Sequence, residues 1–300
     1  MGNLANPLVS IIVNCFNGEK YLRRALESIV GQTYNNWEVI FWDNQSTDNS
    51  KKIFYEFKDS RFKYFVSEKH TTLYEARNNA IKKSVGEIIA FLDTDDWWDE
   101  RKLEKQIPYF KDDKVGIVHS NCYLFYQNTN KKKIFQKINL RSGYITKDLC
   151  KKYNIAILTV LLRKSAYVSA LGFNNRYKII GDLDLIIRLS SQWKMISIGE
   201  CLAYYRIHSE NFTILNSKIE IEELEHWVTD DKIISDKNLI PYLHYIKKRI
   251  DYRKIKKTII EGELIKALKK IIFCPLGFDR VKLILLIILP KKLTKNWTFY

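Results

Sequence analysis

The chain has 300 residues, 46% of them apolar, enough for one large α/β domain and an appendage. No window holds about 18 uninterrupted apolar residues, so no transmembrane helix is expected, and Met1–Asn6 lacks the basic and apolar regions of a secretory signal. The formal charge is +16, and residues 241–300 carry +11 of it, through 15 Lys and Arg against 4 Asp and Glu, so the basic excess concerns the partner of the tail.

In chain order, Leu8–Val13 is a β-rich apolar run, and Tyr21–Val30 then has helical spacing through Tyr21, Leu22, Ala25, Leu26 and Ile29. Glu38–Trp42 is a second strand, and Ser46-Thr47-Asp48 supplies helix-start chemistry before Ile53 and Phe57. Phe62–Val66 is a third strand. Leu73–Val85 is helical, with Leu73, Ala76, Ala80, Ile81 and Val85 on one side. Glu87–Leu92 is a fourth strand, Arg101–Phe110 a helix and Val115–His119 a further strand; Asn128–Lys133 is a polar turn of hairpin type. After residue 215 the pattern changes to long helical stretches rich in Lys and Ile. The expected division is 1–215 and 216–300. The five cysteines (Cys15, Cys122, Cys150, Cys201, Cys274) have neither metal nor disulfide spacing and point to a reducing, cytosolic setting.

Strands alternating with helices predict βαβ units and a mainly parallel sheet covered on both faces. In such a sheet the residues just after strands one, two and four share one edge, where ligands of open α/β sheets bind. Those residues are Asn14, Asp43 and Asp93–Asp96. The run Asp93-Thr94-Asp95-Asp96 puts three carboxylates within four positions. Such a cluster repels itself, and either a hard divalent cation holds it or it is an acidic turn capping the next helix. The first strand–helix turn, Asn14-Cys15-Phe16-Asn17-Gly18-Glu19, has one glycine and is no dinucleotide fingerprint; no Walker lysine loop exists. Two further constellations are Gly181-Asp182-Leu183-Asp184, at the start of a helix, and Tyr204-Tyr205-Arg206-Ile207-His208, at a strand end. The first reads either as ordinary capping or as a functional pair, and the second could meet phosphate or metal.

Taken in order, these segments resemble glycosyltransferase family 2, over Val9 to about Asn211. The matching residues include Val9–Asn17, Ala25–Tyr34, Trp37–Asp48, Glu75–Asn78, Gly86–Asp96, Asp182–Leu189 and Tyr205–His208. The resemblance implies an α/β chain of the GT-A nucleotide-sugar fold with a helical basic C-terminal extension. It implies an inverting, metal-dependent hexosyltransferase that moves a sugar from a UDP-type donor to a glycan or lipid-linked glycan acceptor. A catalytically silent nucleotide-sugar-binding protein is the alternative. By the same resemblance Asn14, Phe16, Asn17 and Asp43 would hold the base, commonly uracil, and Arg77, Asp93 and Thr94 would contact the nucleotide sugar. Asp93, Asp95 and His208 would hold Mn²⁺ or Mg²⁺, and Asp182 would be the catalytic base, with Asp184 its rival. The chain departs from the family at Asn14-Cys15, where Pro-Thr is common, and at Gly181, where Glu often precedes the base. The tail, with Ile259–Leu268 and the run Val281–Pro290 beside Lys291 and Lys292, suits an interfacial anchor on an anionic membrane surface; packing on the catalytic domain is the alternative. No nucleic acid is expected as a partner, and the location implied is cytoplasmic, on the inner face of the membrane.

Overall fold

The computed structural model describes residues 6–137, 141–211, 216–272 and 278–288. It divides into two compact units, residues 1–209 and 210–300.

In the first unit the elements run β1 (Val9–Cys15), α1 (Glu19–Val30), β2 (Trp37–Asp43), α2 (Ser50–Glu56), β3 (Phe62–Val66), α3 (Leu73–Lys82), β4 (Ile88–Phe91), β5 (Trp97–Trp98) and α4 (Lys102–Gln106). Then come β6 (Val115–Tyr126), β7 (Lys131–Ile134), α5 (Thr146–Lys151), β8 (Val160–Arg163), α6 (Lys164–Ser169), α7 (Gly181–Ser190) and β9 (Lys194–Ile207). Among the described residues these strands form one sheet in the order β3-β2-β1-β4-β8-β6-β9-β5, with β7 added to β6. The β3-β2-β1-β4 half is parallel throughout. Beyond it β8 runs antiparallel to both β4 and β6, and β9 is parallel to β6.

Sequence pattern explains the layering. Every residue of β2, and all but one of β1, is buried, as expected of strands covered on both faces. α1 turns Leu22, Ala25, Leu26 and Ile29 inward, one stripe at helical spacing.

Several expected boundaries move for identifiable reasons. α2 begins at Ser50 rather than at Ser46-Thr47-Asp48, because those three residues are bonded to the turn after β1; Asp48 Oδ1 accepts from the Ser50 amide instead. α3 stops at Lys82, and both Leu73 and Val85 are exposed. The face that α3 buries holds Tyr74, Ala76, Arg77, Ala80 and Ile81. The helix expected over Arg101–Phe110 becomes α4 followed by a 3-10 turn at Ile107–Lys111, since Pro108 lacks the N–H that would continue the α-helix. The strand expected at Val115–His119 continues to Tyr126, because β6 pairs with β7, β8 and β9 along its length.

In the second unit, Leu243–Ile260, Leu264–Ile272 and Phe278–Ile288 are helices that share a small core of Ile255, Ile259, Ala267, Ile271, Leu283 and Leu286. Two residues of the run expected to meet a membrane, Leu283 and Leu286, therefore face inward. Leu289, Pro290, Lys291 and Lys292 lie outside the described residues. Among the described residues no helix is long and apolar enough to cross a membrane.

Candidate active site

The parallel register brings three strand ends together. Cys15 of β1 lies opposite Asp43 of β2, and Ile12 lies opposite Phe91 of β4. The Asn44 amide donates to the Cys15 carbonyl, and the Leu92 amide to the Ile12 carbonyl. The turn after β1, the turn after β2 and the Asp93–Asp96 loop after β4 are therefore neighbours.

The first two turns are latched by short side chains. The Asn17 amide donates to Ser46 Oγ at 3.0 Å, and Asn17 Oδ1 accepts from the Thr47 amide at 2.8 Å. The Gly18 amide donates to Ser50 Oγ, and the Glu19 amide to Asp48 Oδ2. Asn17 takes a left-handed backbone, φ 52°, which Asn tolerates better than most residues. Gly18 is needed for space: a Cβ there would lie 2.9 Å from Thr94 Oγ1 and 3.1 Å from Cys15 Sγ. The first turn thus abuts the Asp93–Asp96 loop.

Asp43 is buried, and both of its oxygens have partners: Oδ1 accepts from the Ser46 amide at 2.7 Å, and Oδ2 from the Tyr64 hydroxyl at 2.5 Å. Burial and the adjacent carboxylate together hold the Tyr64 phenol protonated, its pKa raised above the ordinary value. Asn14 Nδ2 is buried and has no hydrogen-bond partner among the described residues, an open donor at the end of β1. Phe16 is half exposed, its ring 4.4 Å from that of His70.

Arg77 ties the other side of the site together. It is 1% exposed, and its guanidinium spans two carboxylates: one terminal nitrogen donates to Asp182 Oδ1 at 2.7 Å, the other to Asp93 Oδ1 at 2.8 Å. Burial works against its charge, but the two carboxylates outweigh burial and raise its pKa. Asp182 opens α7. Its side chain keeps 23% of its surface open. Its enclosed surroundings push its pKa up to about 6, with Arg77 opposing the shift and Asp93 adding to it. Asp184, one turn-half further, is only 2% exposed and pairs with Arg188 of the same helix at 2.7 Å and 3.1 Å. The two carboxylates therefore differ in kind: Asp182 is open and joined to the loop after β4, whereas Asp184 is packed into an ion pair within α7.

On the far side of Thr94, His208 Nε2 lies 3.0 Å from Asp95 Oδ2. Arg206, two residues earlier, fixes this corner: its amide donates to Asp96 Oδ1 and its Nε to the Asp95 carbonyl. Burial, with Asp95 and Asp93 next in order, raises the Asp96 pKa well above its ordinary value. Among the described residues no group of three or more His, Cys, Asp and Glu is gathered into a metal cage. Asp95 supplies a carboxylate oxygen of the kind that suits Mn²⁺ or Mg²⁺, with His208 beside it, whereas Asp93, also expected as a ligand, is bonded to Arg77 instead.

All of the residues singled out in the sequence fall on this one sheet edge and the helix start beside it. Those to which sequence reasoning gave no part in the site are the supports: Ser46 and Tyr64 at Asp43, and Tyr74 and Asn78 beside Arg77. The spacing Tyr74, Arg77, Asn78 is a helical face and was available as a signal.

A family model described as glycosyl transferase family 2 matches residues 10–163. A curated relative, the Escherichia coli UDP-Glc:alpha-D-GlcNAc-diphosphoundecaprenol beta-1,3-glucosyltransferase WfgD, is 31% identical over 83% of this chain and 98% of its own length. Among solved structures, the mannosyltransferase PcManGT from Pyrobaculum calidifontis, in complex with GDP-Man and Mn²⁺, superposes with a TM-score of 0.67 at 16% identity, over 98% of this chain and 84% of that one. S. aureus TarS 1-349 in complex with UDP-GlcNAc superposes with a TM-score of 0.59 at 16% identity, over 97% of this chain and 92% of that one. These likenesses show the fold, the α/β arrangement called GT-A.

Proposed function

This chain belongs to glycosyltransferase family 2, and from that premise we propose that it moves a hexose from a UDP-sugar to a sugar carried on a lipid diphosphate, with inversion at the anomeric carbon. The observation that carries the reading is the Arg77 bridge, which joins an open carboxylate, Asp182, to the first residue of the Asp93-Thr94-Asp95 loop. The donor class is supported by relatives and neighbours whose names specify UDP-sugars, and the acceptor class by the diphosphoundecaprenol of WfgD.

In the mechanism, the turn of Asn14, Phe16 and Asn17 takes the base, with Asp43 accepting from a ring N–H of uracil by a lone pair that Ser46 and Tyr64 leave free. Arg77, Asp93 and Thr94 line the ribose and diphosphate. Asp95 and His208 would hold Mn²⁺ or Mg²⁺, which as a Lewis acid offsets the charge of the departing diphosphate. Asp182 Oδ2, the oxygen not bonded to Arg77, takes the proton of the acceptor hydroxyl as that oxygen attacks the anomeric carbon from the face opposite the diphosphate. A pKa of about 6 leaves Asp182 ionised at neutral pH yet basic enough to accept a proton. One displacement inverts the centre.

The acceptor class implies a membrane surface. In the second unit Leu264, Ile265, Leu268 and Ile272 are exposed on one arc of their helix, with Lys266, Lys269 and Lys270 on the other. Val281, Ile284 and Ile288 are exposed on the following helix. Apolar arcs beside lysines suit an anionic bilayer surface, where the protein would work at the inner face of the cell membrane. The supporting features are the exposed isoleucines, Ile265 at 76% and Ile288 at 70%.

The test is UDP release from a panel of UDP-sugars, UDP-glucose first, with a synthetic α-GlcNAc-diphospholipid, with and without Mn²⁺. Release that needs both acceptor and donor supports the reading; release from no UDP-sugar overturns it. Pelleting with phosphatidylglycerol vesicles but not with neutral ones tests the surface.

A further inference from the structure

We propose that α3 is the positioning element of the reaction, in which Tyr74 and Arg77 set the place of Asp182 and residue 181 is glycine because the Tyr74 ring fills the space of its side chain. The proposal rests on Asp182 acting as the base. Tyr74, Arg77 and Asn78 stand at helical positions i, i+3 and i+4, so they present one face of α3. That face holds the segment leading into α7 at successive points. Asn78 Nδ2 donates to the Phe173 carbonyl at 2.8 Å, and Asn78 Oδ1 accepts from the Phe173 amide and from the Tyr167 hydroxyl. The Tyr74 hydroxyl donates to the Ile179 carbonyl at 2.7 Å, three residues before Asp182. Arg77 then takes Asp182 itself. Among these contacts only the last involves the base; the others fix the backbone that delivers it.

Gly181 fits the same device. It lies in the first turn of α7 with no left-handed backbone to require glycine. Glycine is unfavourable in a helix, so a local need must offset it. That need is space: a Cβ on residue 181 would lie 2.5, 2.6 and 2.7 Å from Cε2, Cδ2 and Cγ of Tyr74. The clash runs along the ring rather than at a flexible tip. The ring cannot retreat, since it is buried, stacks on Phe173 at 5.3 Å between centroids and is pinned through its hydroxyl. A methyl group at 181 must therefore displace the start of α7, and with it Asp182, from Arg77. Tyr74 and Arg77 are positioning residues, and neither needs to touch the acceptor.

The experiment is a double-mutant cycle on the full chain, with Gly181→Ala, Tyr74→Ala and the pair together, and Arg77→Lys beside them. Three quantities are read: hydrogen exchange of amides 179–184, UDP affinity by calorimetry, and UDP release from UDP-glucose with the α-GlcNAc-diphospholipid. Gly181→Ala is expected to deprotect amides 179–184 and to lower turnover about tenfold to a hundredfold, as misplacement of a reacting group does. UDP affinity should stay within about threefold, because the turns after β1 and β2 are untouched. In the Tyr74→Ala background Gly181→Ala should have no further effect, since the ring it collides with is gone. Equal effects of Gly181→Ala in both backgrounds, or unchanged exchange at 179–184, overturn the proposal. If Gly181→Ala does not fold, Arg77→Lys carries the test. A lysine keeps the charge but cannot fork to two carboxylates, so deprotection at 181–184 is expected and its absence overturns the idea. Hydrogen exchange needs no substrate, so a wild-type chain that releases no UDP would count against the proposed reaction while this cycle still reads the positioning.

Discussion

The two halves of the site are held by different devices. In the half proposed to take the nucleotide, the turns after β1 and β2 clasp each other through Asn17, Ser46, Thr47 and Ser50, short side chains in the turns after adjacent parallel strands. In the half proposed to meet the acceptor, one face of α3 reaches residues 173–182, about a hundred positions away in the chain, and Arg77 also touches the β4 loop. The first device is redundant: losing one hydroxyl leaves other bonds across the same pair of turns. The second is serial, because each contact sets the place of the next and Asp182 comes last. The nucleotide half should thus fail gradually and through affinity, and the acceptor half abruptly and through turnover.

The sharpest break of that comparison is at Asp182. Asp182→Asn keeps the size and the Arg77 bond but removes the proposed base, so turnover should fall by about two to four orders of magnitude while calorimetry finds UDP affinity unchanged. The wild-type rate should also fall as pH drops through about 6, since the carboxylate raised to that value by burial takes up a proton there and can no longer accept one. An acid limb near 4 would mean another group is the base. Asp184→Asn should behave differently. It breaks the Arg188 pair inside α7, so melting temperature should fall, with turnover following the loss of folded protein.

Next in size is Asp95, on the loop after β4. Asp95→Asn leaves His208 without its carboxylate partner and should lower Mn²⁺-stimulated UDP release by about a hundredfold, or about 2.7 kcal/mol of charge stabilisation at the leaving group. Mn²⁺ titration followed by thermal shift should lose its response in the same variant. A normal Mn²⁺ response in Asp95→Asn would show that the cation is held elsewhere.

The halves also differ in how far the chain announces them. Asn14, Asp43 and Asp93–Asp96 are local features, each at the end of an apolar run, and a parallel sheet gathers strand ends without further information. The α3–α7 device has no such signature. Apolar periodicity puts Leu73 and Val85 on the buried side of α3, yet both are exposed, because the buried face is led by Tyr74 and by Arg77, a charge that counting apolar residues passes over. The path of residues 167–180 is set by Asn78 and by the left-handed pair Leu171 and Gly172, neither of which marks itself as part of a site. The tail shows the same limit: Leu283–Leu289 reads as one apolar run, but over its described residues a helix divides it, with Leu283 and Leu286 inward and Ile284 and Ile288 outward.

At Asp43 the effect should be smaller and confined to affinity. With Asp43 as the proposed acceptor for the uracil N–H, Asp43→Ala should weaken UDP by about 1.5–3 kcal/mol, the range of a hydrogen bond to a charged group. Because Asp43 also caps the Ser46 amide, part of the loss comes from the loosened turn. Binding of UDP unchanged from wild type would remove Asp43 from the base pocket.

The smallest effect separates those two contributions. Tyr64→Phe deletes only the hydroxyl that donates to Asp43 Oδ2 and leaves the carboxylate, the Ser46 bond and the clasp with the first turn in place. UDP affinity should fall by about 1 kcal/mol or less, the net worth of one hydrogen bond. Since the Tyr64 contact is the same whether the donor is intact or reacting, the change should appear in KM for the donor, with kcat unmoved at saturation. A fall in kcat would mean that Asp43 reports to the reacting centre, and that the two halves are coupled through more than Arg77.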